Sequence, residues 1–372
     1  MLLRTSEAVG TGHPDKIADR VAEEIVEEVL KQDVRGRVAC EVLVSRNLVA
    51  IAGEITTKAE VNYEEVARKC LQGQGYDPSE FRFAVDIKRQ SPDIEKASLA
   101  GRIKSGDQCV VYGFAVDETD ELMPIAHSVA RDLIIKTEDL IDKGKLKWAK
   151  KDMKALVSIG MENEDYKLRS LLFSIQHTED VGLEQIREDI FMKVLVPVVE
   201  GNYSLMMDRV SVWGNINRSG RFVIGGLDAD TGVSNRKIVV DTYGANTKHG
   251  GGGLCGKDLS KIDRVGAYYA RWICKNFVAA GVCRMMELQL AYSFGAERPE
   301  IISIVVDSDE EEKEIRGAIE VIFPFTVSEL VDRFCFAKFP CKDLVKNGHF
   351  GDESLPWEKT DKIEDIKDYF LD

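Results

Sequence analysis

Residues 12–56 read GHPDKIADRVAEEIVEEVLKQDVRGRVACEVLVSRNLVAIAGEIT. Pro14 suits a first helical turn, where its missing N–H would have no partner, and Ile17, Val21, Ile25, Val26 and Leu30 follow at three- and four-residue spacing. That spacing predicts an amphipathic helix. Two β-rich runs come next, Arg37–Ser45 and Leu48–Thr56, joined by the short polar Arg46-Asn47, which is the pattern of a hairpin.

The alternation continues outward from this block. Asn62–Gln72 reads as a second helix and Arg82–Ile87 as a strand. The polar segment Ser91–Gly106 reads as a mobile loop and a domain boundary. Beyond it, Cys109–Asp117 and Leu171–Gln176 are expected strands, and Pro124–Asp139 and Gly182–Val196 expected helices. Arg221–Gly226 and Lys237–Thr242 are expected strands around a charged turn. A long helix is expected from Asp263, as its cap, to about Ala280, closed by Gly281. Met285–Phe294 and Glu300–Asp307 are the last expected strands. Repeated helix-plus-hairpin blocks predict an α+β protein of mixed sheets with helices on one face.

A chain of 372 residues is long enough for two or three domains. With 44% hydrophobic and 31% charged residues it is neither disordered nor collagen-like. No run approaches the roughly 18 apolar residues of a membrane helix, and MLLRTSEAVGTGHPDK has no signal-peptide core, so a cytoplasmic location is expected. The 64 acids against 50 bases, a net charge of -14, argue against nucleic-acid binding. Eight cysteines without a CxxC pair read as reduced, mostly buried thiols rather than disulfides or a zinc site, and the five histidines never reach HExxH spacing.

Three constellations could carry chemistry. In Gly12-His13-Pro14-Asp15-Lys16 the turn enters a helix, whose free N–H groups and dipole suit a phosphate; His13 could donate to it and Asp15 could hold magnesium. An acid in a first helical turn beside an incidental histidine is the plainer alternative. The run Ser234–Lys275 holds eight bases (Arg236, Lys237, Lys248, Lys257, Lys261, Arg264, Arg271, Lys275) against three acids, a local reversal of the overall charge. Its centre, KHGGGGLCGKD at 248–258, offers glycine backbone to phosphate oxygens, and Lys257 and Lys261 would share a face if helical. Gly251–Lys257 also fits G-x-x-x-x-G-K, but Asp258 stands where a P-loop needs Ser or Thr. Last, Glu41, Glu54 and Asp230 are carboxylates in otherwise apolar or glycine-rich surroundings, and a buried acid needs a cationic partner.

Taken together, the chain resembles the S-adenosylmethionine synthase (methionine adenosyltransferase) family. The resemblance rests on GHPDKIAD at 12–19, ACE at 39–41, GEITT at 53–57, QSPDI at 90–94, GDQ at 106–108 and GRFVIGG at 220–226. It continues with RKIVVDTYG at 236–244, HGGGG-x-x-GKD at 249–258, K-x-DR at 261–264 and PWEKTD at 356–361. It implies three similar α+β domains in a pseudo-threefold arrangement, here about 1–97, 105–223 and 225–363. It implies attack of the methionine sulfur on C5′ of ATP, with the triphosphate then cleaved to pyrophosphate and phosphate.

By resemblance, His13, Lys154, Arg236, Lys237 and Lys257 contact the polyphosphate, with Asp152, Met153 and Gly253 also at ATP. Arg221 and Phe222 meet the adenine and Asp107 the ribose. Glu54, Gln90, Lys261, Phe294 and Asp230 position methionine, Asp230 also lying near ATP. Asp15 and Asp263 hold Mg2+ and Glu41 holds K+. The partners implied are ATP and L-methionine, with a homodimer of shared active sites, or a homotetramer built from it. A P-loop phosphotransferase or ATPase and a catalytically silent ATP-binding homologue are the alternatives. The chain departs from the family's usual residues at Leu254 (phenylalanine), Cys255 (serine), Gly253 (alanine), Ser234-Asn235 (Thr-Gly), Leu227 (proline) and Phe294 (isoleucine), and its loop between QSPDI and GDQ is short.

Overall fold

The computed structural model describes residues 2–89, 103–162, 165–335 and 341–371. The expected loop at Ser91–Gly106 therefore lies, up to residue 102, outside the described residues, and so does Gln90. Among the described residues there are three sheets. One has the order β4 (Arg82–Lys88), β3 (Leu48–Thr56), β2 (Arg37–Ser45), β8 (Gly232–Val233). A second runs β1 (Leu2–Val9), β6 (Ala149–Glu162), β7 (Asp165–His177). The third runs β10 (Glu300–Val306), β9 (Met285–Tyr292), β5 (Cys109–Val116).

Each sheet is a hairpin joined by a strand from another part of the chain. The β6–β7 hairpin receives β1 from the N-terminal part, β9–β10 receives β5 from the central part, and β2–β3 receives β8 from the C-terminal part, all antiparallel. The donation runs in a cycle. No third of the sequence completes its own sheet, so the sheets cut across any contiguous division of the chain.

One long helix covers each hairpin. Helix α1 (Pro14–Gln32) lies on β2, α3 (Ile125–Asp142) on β6 and β1, and α5 (Ile262–Ala279) on β5 and β9; α2 (Tyr63–Gly73) packs on α1. Burial follows the periodicities. Met153, Ala155, Val157 and Ile159 alternate inward on β6, and Ile17, Val21, Ile25 and Val29 line the hidden stripe of α1. The first and third sheets share one core with α1 and α5, and the second builds its own around α3.

Polar residues complete the larger core. Glu23 grips Arg264 with both oxygens, at 2.8 and 3.0 Å, and none of these side chains reaches solvent. Glu358 takes Arg271 at 2.8 and 2.9 Å and Lys275 at 2.9 Å, while Trp357 stacks on Tyr268 at 3.8 Å. PWEKTD is thus a packing motif here. It pins the C-terminal segment to α5.

The hairpin at Arg37–Thr56 and the ends of α2, β4 and β5 fall within a residue of expectation. Other expectations fail. Arg221–Gly226 and Lys237–Thr242 are not strands: the first is an irregular segment tied to His177, and the second is wound into turns. There the buried Lys16–Asp241 ion pair overrides the β-propensity of Ile238-Val239-Val240. The helix expected at Gly182–Val196 is α4 (Leu183–Ile190), continued as wide π-helical turns over Phe191–Asn202 around Pro197. Lys261, not Asp263, is the N-cap of α5, and Asp263 sits in its first turn. Strands β1 and β6 and the first half of β7 have no counterpart among the expected elements.

Removing the acid that neutralises two buried bases should unfold the C-terminal segment. Glu358→Ala is expected to cost about 3–5 kcal/mol, read as a lower urea midpoint, because it leaves Arg271 and Lys275 buried without an anion. Glu312→Gln, which removes the exposed partner of Arg316, should move the midpoint by less than about 1 kcal/mol.

Candidate active site

Two clusters of cations and carboxylates form around the segment 230–263. The first sits where β1 turns into α1. His13 is the N-cap of α1, and its Nδ1 accepts the Asp15 N–H at 3.1 Å. Nδ1 is therefore unprotonated and the neutral ring carries its proton on Nε2, as a donor. Burial first, then Lys237 and Lys154, push the His13 pKa down to about 4. Asp15 Oδ1 accepts the Val233 N–H at 2.9 Å and Oδ2 takes Lys237 Nζ at 2.5 Å; Arg236 stands 3.8 Å away. Burial alone would raise the Asp15 carboxyl, but these bonds bring it below its ordinary value.

Asp152 and Asp230 complete this cluster. Asp152 is buried and accepts the Gly226 N–H at 2.7 Å; burial raises its carboxyl. Asp230 is exposed, and its charge reaches His13 and Asp152. Lys154, also exposed, acts on the same two groups. Met153, between them in sequence, has its side chain wholly in the core, so it offers the site only backbone.

In the second cluster Lys257 Nζ lies 2.6 Å from Asp263 Oδ2, and Asp107 joins them around Cys109. Burial lowers the Lys261 pKa, with Arg37 and Lys257 adding to it and Asp258 and Glu54 opposing. Glu41, on β2, accepts Ser234 Oγ, with Asn235 Nδ2 at 3.3 Å.

The glycine loop is shaped by packing. A Cβ at Gly250 would overlap the Val110 backbone, and one at Gly252 would overlap the Asp263 carboxylate. Lys257 and Lys261 do not share a helical face, because the helix starts only at Ile262. Nor is 251–258 a P-loop: Asp258 is turned inward, accepting Val38 N–H at 2.7 Å and Ser260 N–H at 2.7 Å, and a further turn separates it from α5.

Of the eight bases, Arg264, Arg271 and Lys275 are bound to Glu23 and Glu358, and Lys248 pairs with Glu287 at 2.6 Å. Four remain for an anion: Arg236, Lys237, Lys257 and Lys261. Glu41 and Glu54 are exposed on the sheet face rather than buried among apolar neighbours, since strand alternation turns them outward. Arg221 pairs with exposed Glu179, and Phe222 is held by its N–H to His177 Nε2 at 2.9 Å. Phe294 lies past the end of β9 and is 55% exposed, not in a strand. Sequence reasoning missed His177 and Arg37. A histidine at a strand end carries no pattern, but Arg37 could have been found on the alternation that also places Glu41.

The N-terminal, central and C-terminal domains of S-adenosylmethionine synthetase match residues 1–98, 102–222 and 224–359. The chain belongs to the S-adenosylmethionine synthetase family. A protein named S-adenosylmethionine synthase in Lacticaseibacillus casei is 41% identical over 99% of this chain and 98% of its own length. Proteins of that name in Fusobacterium nucleatum and Mycoplasma mycoides are each 39% identical, over 98% and 99% of this chain and 97% of their own lengths.

Two departures from the family's usual residues explain each other. Asn235 stands where the family has glycine and adopts φ +64, a left-handed conformation that asparagine tolerates. Its amide stitches the glycine loop, accepting Cys255 N–H at 2.9 Å and donating to Cys255 O at 3.1 Å. A Cβ at residue 253 would come within 2.6 Å of Asn235 Cγ. Asn235 thus leaves room for glycine at 253, and an alanine there would press on its amide.

Gly253→Ala alone should therefore cost about 1–3 kcal/mol by overpacking, and adding Asn235→Gly should recover most of it. Additive losses in a thermodynamic cycle of the two variants would show the positions to be independent. For His13, NMR titration of the imidazole should show a neutral ring at pH 6, with protonation only near its folded pKa of about 4. Since an unfolded imidazole titrates at 6.5, the unfolded chain takes the proton first, and this group's contribution to stability falls as pH drops from 6.5 towards 4.

Proposed function

We propose that this protein joins L-methionine to ATP, the methionine sulfur attacking C5′ to give S-adenosylmethionine and triphosphate, which is then cleaved to pyrophosphate and phosphate. The observation that carries the reading is the gathering of cations at two carboxylates, Arg236 and Lys237 at Asp15 and Lys257 at Asp263, in an otherwise acidic member of the family. A phosphotransferase reading lacks support, because the glycine loop is not a P-loop.

A thioether is a neutral nucleophile and needs no general base, so positioning and charge carry the catalysis. Lys237, Arg236, Lys154 and Lys257 meet the triphosphate as its charge grows. His13 donates through Nε2–H without adding a charge of its own. Arg221 and Phe222 hold the adenine, Asp107 the ribose, and Glu54, Gln90, Asp230 and Lys261 the amino acid. Asp15 and Asp263 offer the hard oxygens that Mg2+ requires, each now occupied by a lysine, and Glu41 with Ser234 suits K+. When bound, magnesium would supply charge neutralisation at the polyphosphate.

We place the three sequence domains at 1–97, 105–223 and 225–363 and the protein in the cytoplasm; among the described residues no helix is long and apolar enough to cross a membrane. We also infer a homodimer with shared active sites, from which a homotetramer can be built. Leu3, Leu156, Ile302 and Val305 stand open on the outer sheet faces, where a second copy would cover them.

Incubation with ATP, methionine, Mg2+ and K+ should yield a sulfonium product by mass; ADP or AMP without it would overturn the reading. Lys257→Met should slow the reaction roughly a hundredfold or more, for about 2–4 kcal/mol of lost charge stabilisation. If sites are shared, remixing inactive His13→Ala and Lys257→Met subunits should restore about a quarter of wild-type activity. No recovery after confirmed exchange would place both residues in one subunit's site.

A further inference from the structure

Arg37 begins β2, on the sheet face that carries Glu54. Its register partner on β3 is Thr56, and Ala39, two residues on, stands opposite Glu54. Directly opposed residues of an antiparallel pair share a face, so Arg37 and Glu54 are diagonal neighbours, their backbones roughly 7–8 Å apart. The same stretch of β2 is bonded to the glycine loop's exit: Val38 exchanges hydrogen bonds with Asp258, and Cys40 N–H reaches Gly256 O at 2.9 Å. Lys261, three residues past Asp258, is thereby brought within electrostatic reach of both Arg37 and Glu54.

Arg37 is half-buried, and its guanidinium makes no hydrogen bond or ion pair among the described residues. Arg37 and Lys261 act on each other as like charges, partly out of water and with no acid bonded to either among the described residues, while Asp258 is committed to the Val38 and Ser260 N–H groups; such a pair attracts an anion. A flat guanidinium fork matches a carboxylate with two parallel N–H bonds, which an ammonium cannot do. Beside them Glu54 supplies the opposite charge. An α-amino acid zwitterion presents this pair of groups, a carboxylate and an ammonium on one carbon.

We propose that Arg37 binds the α-carboxylate of the amino-acid substrate, next to Lys261, while Glu54 receives its ammonium. The inference rests on methionine being the substrate of this site. Arg37 therefore sets specificity for a free carboxylate, and amides or esters of methionine are poor substrates because of it.

The test compares wild type, R37A and R37K for KM and kcat with methionine, with ATP and with methioninamide, whose carboxylate is a neutral amide. Wild type must first form the sulfonium product; failure there defeats the functional reading itself. R37A is expected to raise the methionine KM about 10- to 100-fold while leaving the ATP KM unchanged, with R37K recovering part of the loss. Preference for methionine over methioninamide should shrink in R37A by a similar factor. Should R37A not fold, R37Q carries the same comparison. An unchanged methionine KM, an unchanged preference over the amide, or a loss that tracks only a change of oligomeric state in sedimentation would overturn the proposal.

Discussion

The first two turns of α1 hold the segment 232–241 across the molecule, and the other features depend on that grip. Asp15 takes the Val233 N–H and Lys237, Lys16 takes Asp241, and Asp19 takes the Asn235 N–H at 2.7 Å. These contacts lay β8 against β2 and so close the first sheet. They also fix Arg236 and Lys237 beside His13. Lys16, wholly buried, sits in the field of Asp241 and Asp19, and burial together with Asp241 raises the Asp19 carboxyl to about 8. The same ionic contacts that complete the fold therefore assemble half of the site.

Burial sorts the charges of the basic stretch into two populations. Arg264, Arg271 and Lys275 point into the core, where Arg264 pairs with Glu23 and Arg271 and Lys275 share Glu358, since an unpaired buried cation would be costly. Arg236, Lys237, Lys257 and Lys261 stay at the two clusters of the candidate site. Lys237 and Lys257 rest on Asp15 and Asp263, and in the proposed reaction a polyphosphate and its counter-ions would redirect both lysines. An acidic protein can in this way present a local cationic surface without losing its solubility.

Cyclic strand exchange ties the three parts of the chain together. Each helix-and-hairpin unit has an open sheet edge until a strand from another part fills it, so none is complete alone. Substitutions in the glycine loop respect this frame. Asn235 and Gly253 share one space, and the loop passes close over Val110 and Asp263, where Gly250 and Gly252 leave room for it.

Local elements and the residue types of the chemistry are legible in the amino-acid order alone. Apolar spacing gave α1, alternation gave the β2–β3 hairpin, and the motifs named the family and the charged residues. What it did not reveal was where those residues meet. β1 and β6 are not legible in the sequence although Met153, Ala155, Val157 and Ile159 alternate, because lysines interrupt the run and a strand's partner is not local. Lys237–Thr242 reads as a strand by propensity, yet the distant Lys16 claims Asp241 and winds it into turns. Glu41 and Glu54 looked buried from their neighbours and proved exposed. Which bases face a ligand, and which only balance a buried acid such as Glu358, depends on contacts across 83 to 241 positions of chain. Short-range spacing carries no record of such contacts, and only the packed tertiary structure decides them.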